Sequence, residues 1–210
     1  MKRCVIVCAS PDLRAQLVKS VISDGDYIIA ADGGMKVLAE LGIAPDLFVG
    51  DFDSFSGEVP ETTEVIKLNV RKDDTDSMHC ASVASEMDFS EIVFLGAVGG
   101  RLDHTFANFS TLAYLSQKGI RASIISEREE VRVLTEGEYL FENLGGCDFS
   151  VFPFACGSVT VSYIGEVEYP AENLTVKAEE SIGVSNVFRS NSVKIKIISG
   201  RALVFNSFKK

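Results

Sequence analysis

Two aspartates stand two positions apart in the segment VGDFDSF, residues 49–55. Asp51 and Asp53 directly follow the apolar residues 47–49, which have the composition of a buried strand. If the extended geometry continues, both carboxylates point the same way, and two like charges on one face need a cation to offset their repulsion and desolvation. Mg²⁺ prefers such oxygen ligands and keeps waters and substrate phosphates as its others. The spacing predicts a magnesium site, and a turn followed by a helix N-cap is the alternative interpretation.

Further acids occur in the segments ADGG, residues 31–34, and RKDDTD, residues 71–76. Asp32 precedes two glycines, a pattern that by itself is typical of a turn. In the second segment, Asp74 or Thr75 is expected to cap a helix, which places Asp76 in the first turn, where the helix dipole favours an acid. Lys72 is expected either to form a surface ion pair or to donate to a polyphosphate.

The segment GGRLDH, residues 99–104, has the composition of a phosphate-binding turn. Gly99 and Gly100 let the backbone approach a ligand closely, and Arg101 offers a planar fork that suits phosphate. A helix that begins near Asp103 would add free N–H groups for an anion. His104 is either a base or a structural partner of Asp103. Since the sequence contains neither a P-loop motif nor G-x-G-x-x-G, we expect nucleotide phosphates to bind this turn and an Asp-held metal instead.

Strands and helices are predicted to alternate through the first 126 residues. Apolar runs typical of strands occur at residues 4–8, 27–30, 47–49, 65–68, 92–95 and 122–125. Helical patterns occur at residues 13–21, 35–41, 76–87 and 106–117, with Gly42 and Gly119 in C-terminal capping positions. This alternation predicts an α/β domain with a mostly parallel sheet flanked by helices. Because the C-terminal ends of parallel strands share one edge, we expect the acidic and glycine-rich segments to converge there.

After residue 130 the sequence changes to short alternating runs separated by Gly, Asn and Ser. This pattern predicts a second, antiparallel domain, a β-sandwich or a barrel. We place the boundary so that residues 1–127 form the α/β domain and residues 128–210 form the β-sandwich domain.

Composition narrows the class of protein and its compartment. A net charge of −10 argues against a surface for nucleic acids or anionic membranes. The five cysteines are odd in number and form no C-x-x-C pair, which predicts reduced thiols. The apolar run at residues 4–9 is too short for the core of a signal peptide or for a membrane span. We therefore expect a cytoplasmic protein that binds neither nucleic acid nor membranes.

The segments ADGG, GDFDS, KDDTD and GGRLDHTFAN, in this order and at these intervals, resemble the thiamine pyrophosphokinase family. A fifth segment, GVSN at residues 183–186, resembles a motif of the family's C-terminal domain. The resemblance implies an N-terminal catalytic domain for ATP and metal, a C-terminal domain for thiamine, and a homodimer with active sites between subunits. It also implies transfer of the diphosphate of ATP to the hydroxyl group of thiamine, which gives thiamine diphosphate and AMP.

The resemblance assigns a role to each residue that matches a motif. The Mg²⁺ site is assigned to Asp51, Asp53 and Asp76, and Arg101 is assigned to clamp phosphate. Asp32 is a further acid near the metal or the attacking hydroxyl, and either Asp32 or Asp76 could accept the hydroxyl proton. The residues assigned to ATP are Gly33, Lys72, Asp73, Thr75, Gly100, Arg101, Asp103, His104 and Asn108. Those assigned to thiamine are Ser185 and Asn186.

The chain contains no tryptophan, whereas some family members stack a C-terminal Trp on the pyrimidine of thiamine. Leu203, Val204 or Phe205 stands near that position, and Phe188 is another aromatic candidate for the wall of a cation site. The missing Trp leaves open a pyrophosphokinase that acts on a hydroxymethyl-pterin. A non-catalytic regulator that binds thiamine or a nucleotide is the third interpretation, which the full set of acids disfavours.

Overall fold

The computed structural model describes residues 2–51, 54–68 and 74–208. The chain divides into two compact units, Met1–Glu127 and Arg128–Lys210. Each unit is built around its own cluster of buried apolar side chains, as expected of a domain. None of the described helices has the length and the apolar character needed to cross a membrane.

Six strands and four helices form the described part of the first unit, and in most cases a helix follows each strand. The strands are β1 (Arg3–Val7), β2 (Tyr27–Ala31), β3 (Leu47–Gly50), β4 (Glu64–Lys67), β5 (Glu91–Leu95) and β6 (Arg121–Ile125). The helices are α1 (Ala15–Val21), α2 (Gly34–Glu40), α3 (Asp76–Ser85) and α4 (Leu102–Gln117). Each element lies on its predicted segment to within a few residues, so the predicted alternation is confirmed.

The six strands pair in parallel, in the order β6-β5-β1-β2-β3-β4. Strands β1, β2, β3 and β5 are almost wholly buried, which is typical of a parallel sheet covered on both faces. The chain runs outward from β1 to β4 and then returns to the other side of β1 with β5. The strand order therefore reverses between β1 and β5, and open α/β sheets bind their ligands outside the C-terminal strand ends at such a point.

Glycines determine two helix ends and one tight contact in this unit. Gly42 and Gly119 follow α2 and α4 with φ of +67° and +75°. Each donates its N–H to a carbonyl in the last turn of the preceding helix, which ends the helices where the sequence predicted. At the start of α2, a Cβ on Gly34 would lie 1.9 Å from the carbonyl oxygen of Val7. Glycine therefore lets α2 begin directly against β1.

Eight strands form two sheets in the described part of the second unit. They are β7 (Glu129–Leu134), β8 (Gly137–Glu142), β9 (Asp148–Pro153), β10 (Ser158–Ile164), β11 (Leu174–Lys177), β12 (Asn186–Val187), β13 (Ser192–Ser199) and β14 (Ala202–Ser207). Within this unit the orders are β12-β9-β14-β7 and β11-β10-β13-β8, with antiparallel pairing. Phe149 stacks on Phe188 in the core, with ring centroids 4.2 Å apart. The predicted antiparallel sandwich is confirmed.

Candidate active site

An open cleft of about 490 Å³ lies at the C-terminal edge of the parallel sheet. Its walls come from the C-terminal ends of β1, β2 and β5, from the start of α3 and from α4, so it lies where the strand order reverses. The lining residues are Cys8, Ala9, Ala31, Asp32, Asp74, Thr75, Asp76, Ser77, Gly96, Ala97, Gly99, His104 and Asn108. Three of the four motif segments of the first unit thus meet in one cleft, as the argument from parallel strands predicted.

Asp32 directly follows β2 and has a left-handed backbone, with φ of +42°. Its N–H donates to the carbonyl oxygen of Val49 at 2.8 Å, which places it beside the end of β3. A Cβ on Gly50 would lie 3.1 Å from Asp32 Oδ1. That oxygen is buried and accepts no hydrogen bond from the described part of the chain. Because a buried polar atom without a partner is costly, Asp32 is suited to a cation or to a hydroxyl group of a ligand.

The predicted metal ligands are only partly described. Asp51 follows β3 directly and is half-buried, but it is not among the described residues that line the cleft. Asp53, Lys72 and Asp73 lie outside the described residues. Among the residues that are described, no group of three or more His, Cys, Asp or Glu side chains could hold a metal. The site formed by Asp51, Asp53 and Asp76 therefore stays a prediction.

Asp76 lies in the first turn of α3, as the sequence predicted. The N-cap of this helix is Thr75, whose hydroxyl accepts a hydrogen bond from the N–H of Met78 at 3.2 Å. Cys8 follows β1 as a buried thiol. Burial, and to a smaller extent the negative charge of Asp76, raise the pKa of Cys8 to about 12. Asp76 and Cys8 line the same cleft.

A chain of hydrogen bonds joins α3, α4 and the turn after β5. Ser77 donates to Asn108 Oδ1, and Asn108 Nδ2 donates to the carbonyl oxygen of Ala97 at 2.6 Å. The Thr75 hydroxyl lies 3.0 Å from that of Ser77. The resemblance assigned Asn108 to ATP, and the structure places it in the cleft wall with its amide bonded to the protein. Ser77 belongs to none of the motifs, so the sequence did not mark it.

The turn after β5 packs against the loop between β1 and α1, which no motif marked. Ser10 Oγ donates to the carbonyl oxygen of Val98 at 2.8 Å. Gly99 and Gly100 have φ of +97° and +64°, and a Cβ on Gly99 would lie 2.3 Å from Asp12 Oδ2. Glycine alone fits this close contact at this backbone conformation. The β1–α1 loop therefore shapes the predicted phosphate-binding turn through a contact between distant parts of the sequence.

Arg101 and Asp103 form an exposed ion pair at the start of α4. Arg101 donates through Nε and Nη2 to the two carboxylate oxygens, at 3.1 and 2.6 Å. These hydrogen bonds lower the pKa of Asp103 to about 2. Asp103 also accepts the backbone N–H of His104 at 3.0 Å, and His104 lines the cleft. The Arg101 side chain is 73% exposed beside the helix N-terminus, where the helix dipole favours an anion.

Gly33, which the resemblance assigned to ATP, lines a second cavity of about 380 Å³. A Cβ on Gly33 would lie 2.9 Å from Ala9 Cβ, so glycine allows the loops after β1 and β2 to pack together. Cys8 and Ala9 line both cavities, and Lys36 of α2 lines the second. The loop after β1 therefore forms a wall that the two cavities share.

The residues assigned to thiamine lie in the second unit, where Ser185 precedes β12 and Asn186 begins it. Asn186 is buried, and its side-chain oxygen accepts the N–H groups of Tyr169 at 2.9 Å and Val187 at 2.8 Å. Its amide group donates to the Tyr169 carbonyl at 2.8 Å. Asn186 thus fixes the backbone of Tyr169, a residue that is 64% exposed. Ser185 is exposed, with φ of +56°, and the assignment of both residues to thiamine stays a prediction.

The residues near the position of the family's Trp lie mainly in packed surroundings. Leu203 and Val204 are buried, and so is Phe188, which stacks on Phe149. Phe205 is half-buried, and its ring meets that of Phe152 edge-on with centroids 6.0 Å apart. Of these candidates, Phe205 is the one with an aromatic face that is not wholly covered.

Comparisons with known proteins give one consistent result. The family model described as thiamin pyrophosphokinase, catalytic domain, matches residues 18–124. Thiamin pyrophosphokinase 1 of Caenorhabditis elegans is 24% identical to this chain, over 97% of this chain and 87% of its own length. The thiamine pyrophosphokinase of Bacillus subtilis is 25% identical over 89% of each chain.

Solved structures show the same fold. The crystal structure of thiamine pyrophosphokinase from Bacillus subtilis matches with a TM-score of 0.88 at 23% identity, over the whole of both chains. Thiamin pyrophosphokinase from Candida albicans matches with a TM-score of 0.82 at 14% identity, over 99% of this chain and 89% of that one. At these identities the likeness establishes the fold, and the predicted fold class is confirmed. Because the family model spans more than half of the 210 residues, the chain belongs to the thiamin pyrophosphokinase family, which catalyses the diphosphorylation of thiamine.

Proposed function

We propose that this protein is an ATP-dependent thiamine pyrophosphokinase that converts thiamine and ATP into thiamine diphosphate and AMP. Membership of the family supports this reaction. For this chain, the main support for the proposed reaction is the cleft at the point where the strand order reverses. Asp32, Asp76 and Gly99 all line this cleft. Transfer of a phosphoryl-type group depends on positioning and charge neutralisation, and acids beside a phosphate-binding turn meet that requirement.

Mg²⁺ fits the donor set that we assign to it, namely Asp51, Asp53 and Asp76. All three are carboxylates, the ligand type that hard cations prefer. The buried Asp32 oxygen without a described hydrogen-bond donor adds a site suited to positive charge. When bound, Mg²⁺ would neutralise charge on the phosphates of ATP. Asp51 would hold it from the end of β3 and Asp76 from α3, two elements that contact each other.

The phosphates of ATP are proposed to bind the turn after β5 and the start of α4. Gly100 is exposed there, and the exposed Arg101 guanidinium lies at the N-terminus of the helix, whose dipole favours an anion. Asp103 orients that guanidinium through two hydrogen bonds. The other residues proposed for ATP are Gly33, Lys72, Asp73, Thr75 and His104.

The proposed chemical step moves one proton and exchanges one bond at phosphorus. The hydroxyl oxygen of thiamine attacks the β-phosphorus of ATP, and the bond from that phosphorus to the α–β bridging oxygen breaks, so AMP leaves with that oxygen. The hydroxyl proton passes to a carboxylate, for which Asp32 and Asp76 are the candidates. The buried Asp32 oxygen that lacks a described donor supports Asp32 in this role.

Thiamine is proposed to contact the segment around Ser185 and Asn186. Ser185 is exposed and available to touch the substrate, whereas the buried Asn186 would act through the backbone that it holds. We also propose a cytoplasmic homodimer with active sites between subunits. The free thiol state of all five cysteines supports a reducing compartment.

Incubation with ATP, Mg²⁺ and one acceptor at a time tests the proposed function. Thiamine should cause release of AMP, whereas a hydroxymethyl-pterin and a reaction without acceptor should not. Release of AMP with the pterin alone would replace the proposed acceptor. Binding of thiamine without any turnover would indicate a regulator and refute the proposed enzyme.

A further inference from the structure

The hydrogen-bond chain between α3 and α4 has a defined direction. The carbonyl oxygen of Ala97 can only accept, so Asn108 must present its NH₂ group to it, at 2.6 Å. Asn108 Oδ1 then faces Ser77, which has to donate its single hydroxyl hydrogen. The 3.0 Å contact between the hydroxyls of Thr75 and Ser77 must therefore run from Thr75 to Ser77. One backbone carbonyl thus determines every donor and acceptor in the chain.

This chain is shielded from water where it crosses between the helices. Ser77 is 7% exposed and Asn108 is 9% exposed. Hydrogen bonds in such surroundings strengthen one another, and loss of one member leaves its neighbour unsatisfied. Thr75 Oγ1 also accepts the N–H of Met78, which closes the N-terminus of α3. The start of α3, the buried face of α4 and the turn after β5 are therefore bonded together.

Asp76 lies between two members of the chain, Thr75 and Ser77. Because both neighbours are held by side-chain hydrogen bonds, the backbone of Asp76 has little freedom to shift. The far end of the chain is Ala97, two residues before Gly99. The hydrogen-bond chain therefore ties the backbone at Asp76 to the proposed phosphate-binding turn.

We infer that Ser77 and Asn108 are positioning residues that hold Asp76 in place for a divalent cation, rather than direct ligands of the nucleotide. The inference rests on the proposed metal-dependent function. The Ser77 hydroxyl hydrogen, Asn108 Oδ1 and one N–H of Asn108 are already engaged with the protein. Their contribution to catalysis therefore passes through the position of α3.

Titration of the whole 210-residue protein with Mn²⁺ tests the inference without turnover. The EPR signal of unbound Mn²⁺ reports how much of the ion remains free. Ser77→Ala removes one hydroxyl and is expected to weaken Mn²⁺ binding about fivefold. Ser77→Thr keeps the hydroxyl and should bind Mn²⁺ as the wild type does. Ser85→Ala is the matched control, because Ser85 lies in the same helix with its hydroxyl bonded to the Ser82 carbonyl at 2.7 Å, and it should change nothing.

Asn108→Ala interrupts the same hydrogen-bond chain from α4. This variant replaces Ser77→Ala in the test if Ser77→Ala does not fold. The double variant should bind Mn²⁺ about as weakly as the weaker single variant, because the two residues act in series. In turnover assays the half-saturating Mg²⁺ concentration should rise, while KM for ATP at saturating Mg²⁺ stays the same. A higher KM for ATP in Asn108→Ala at saturating Mg²⁺, with Ser77→Ala like the wild type, would overturn the inference in favour of direct contact.

Turnover of thiamine by the wild type tests the proposed function separately. Absent turnover together with weakened Mn²⁺ binding in both variants would refute the function and support the positioning role. Normal turnover together with unchanged Mn²⁺ binding in Ser77→Ala and Asn108→Ala would support the function and overturn the positioning role.

Discussion

Asp32 combines a left-handed backbone with a buried carboxylate oxygen that no described group satisfies. Asp and Asn tolerate this conformation better than other non-glycine residues, and unsatisfied buried groups call for a functional explanation. The sequence predicted that Asp32 follows a strand beside a glycine turn. It did not predict the unsatisfied oxygen, because that depends on how Gly50 of the neighbouring strand packs against the side chain.

Asp32→Asn should lower kcat at least about 100-fold, because it removes the charge and the proton acceptor while keeping the shape of the side chain. Asn also tolerates the φ of +42°, so the variant should fold. Asp88→Asn is the matched control, since Asp88 is exposed and has φ of +58°. Steady-state kinetics and thermal unfolding of both variants check the prediction, and an Asp32→Asn enzyme as active as Asp88→Asn would contradict it.

Arg101→Ala should raise the pKa of Asp103 from about 2 towards its ordinary value of about 4. The hydrogen bonds from Arg101 lower the pKa of Asp103. The ion pair between the two residues is therefore fully formed at a pH above the ordinary pKa of Asp and is lost as the pH falls through about 2. Asp103 is therefore ionised throughout the neutral range. Titration of the Asp103 carboxyl carbon by NMR measures the change, and an unshifted pKa in the variant would show that Arg101 is not its cause.

Among the elements, the strands and helices of the first unit were predictable because their apolar runs and capping residues are local signals. The contact between the β1–α1 loop and the turn after β5 was not predictable, because Ser10 and Val98 are far apart in the sequence. The GVSN segment was recognised as a motif, but its packing was not. A Cβ on Gly183 would lie 1.9 Å from the carbonyl oxygen of Val151. The backbone N–H of Val151 in turn donates to the carbonyl oxygen of Gly183.

Gly183→Ala should destabilise the protein by about 2–3 kcal/mol, because the obstructing atom is backbone and cannot rotate away. Gly157→Ala is the control, since no atom lies within 4 Å of its Cβ position and its φ is not positive. Urea unfolding of both variants measures the difference. Equal stability of the two variants would mean that β9 and the GVSN segment are not in close contact.

For the whole molecule, the sequence predicted two domains because its residue pattern changes. The first part has patterns typical of alternating strands and helices, and the second has patterns typical of short strands alone. The residues assigned to ATP and those assigned to thiamine fall in different units. Association of two protein chains leaves no local pattern in one sequence, so the homodimer was predicted only from the resemblance to the family. Sedimentation equilibrium should give twice the chain mass of 22.8 kDa.

Complementation between inactive chains tests the shared active site. Asp76→Asn disables the first unit and Ser185→Arg the second, so each variant alone should be inactive. If each site takes one unit from each subunit, mixed dimers contain one intact site, and refolding equal amounts together should restore about one quarter of wild-type activity. No recovery in dimers shown to be mixed would place both parts of the site in one subunit.

The proposed reaction transfers the terminal diphosphate of ATP to thiamine as one group. Mass spectrometry of the products, with thiamine present and absent, tests this most directly. We expect AMP and thiamine diphosphate in equal amounts, and no AMP without thiamine. Formation of ADP with thiamine monophosphate, or release of AMP that does not depend on thiamine, would contradict it.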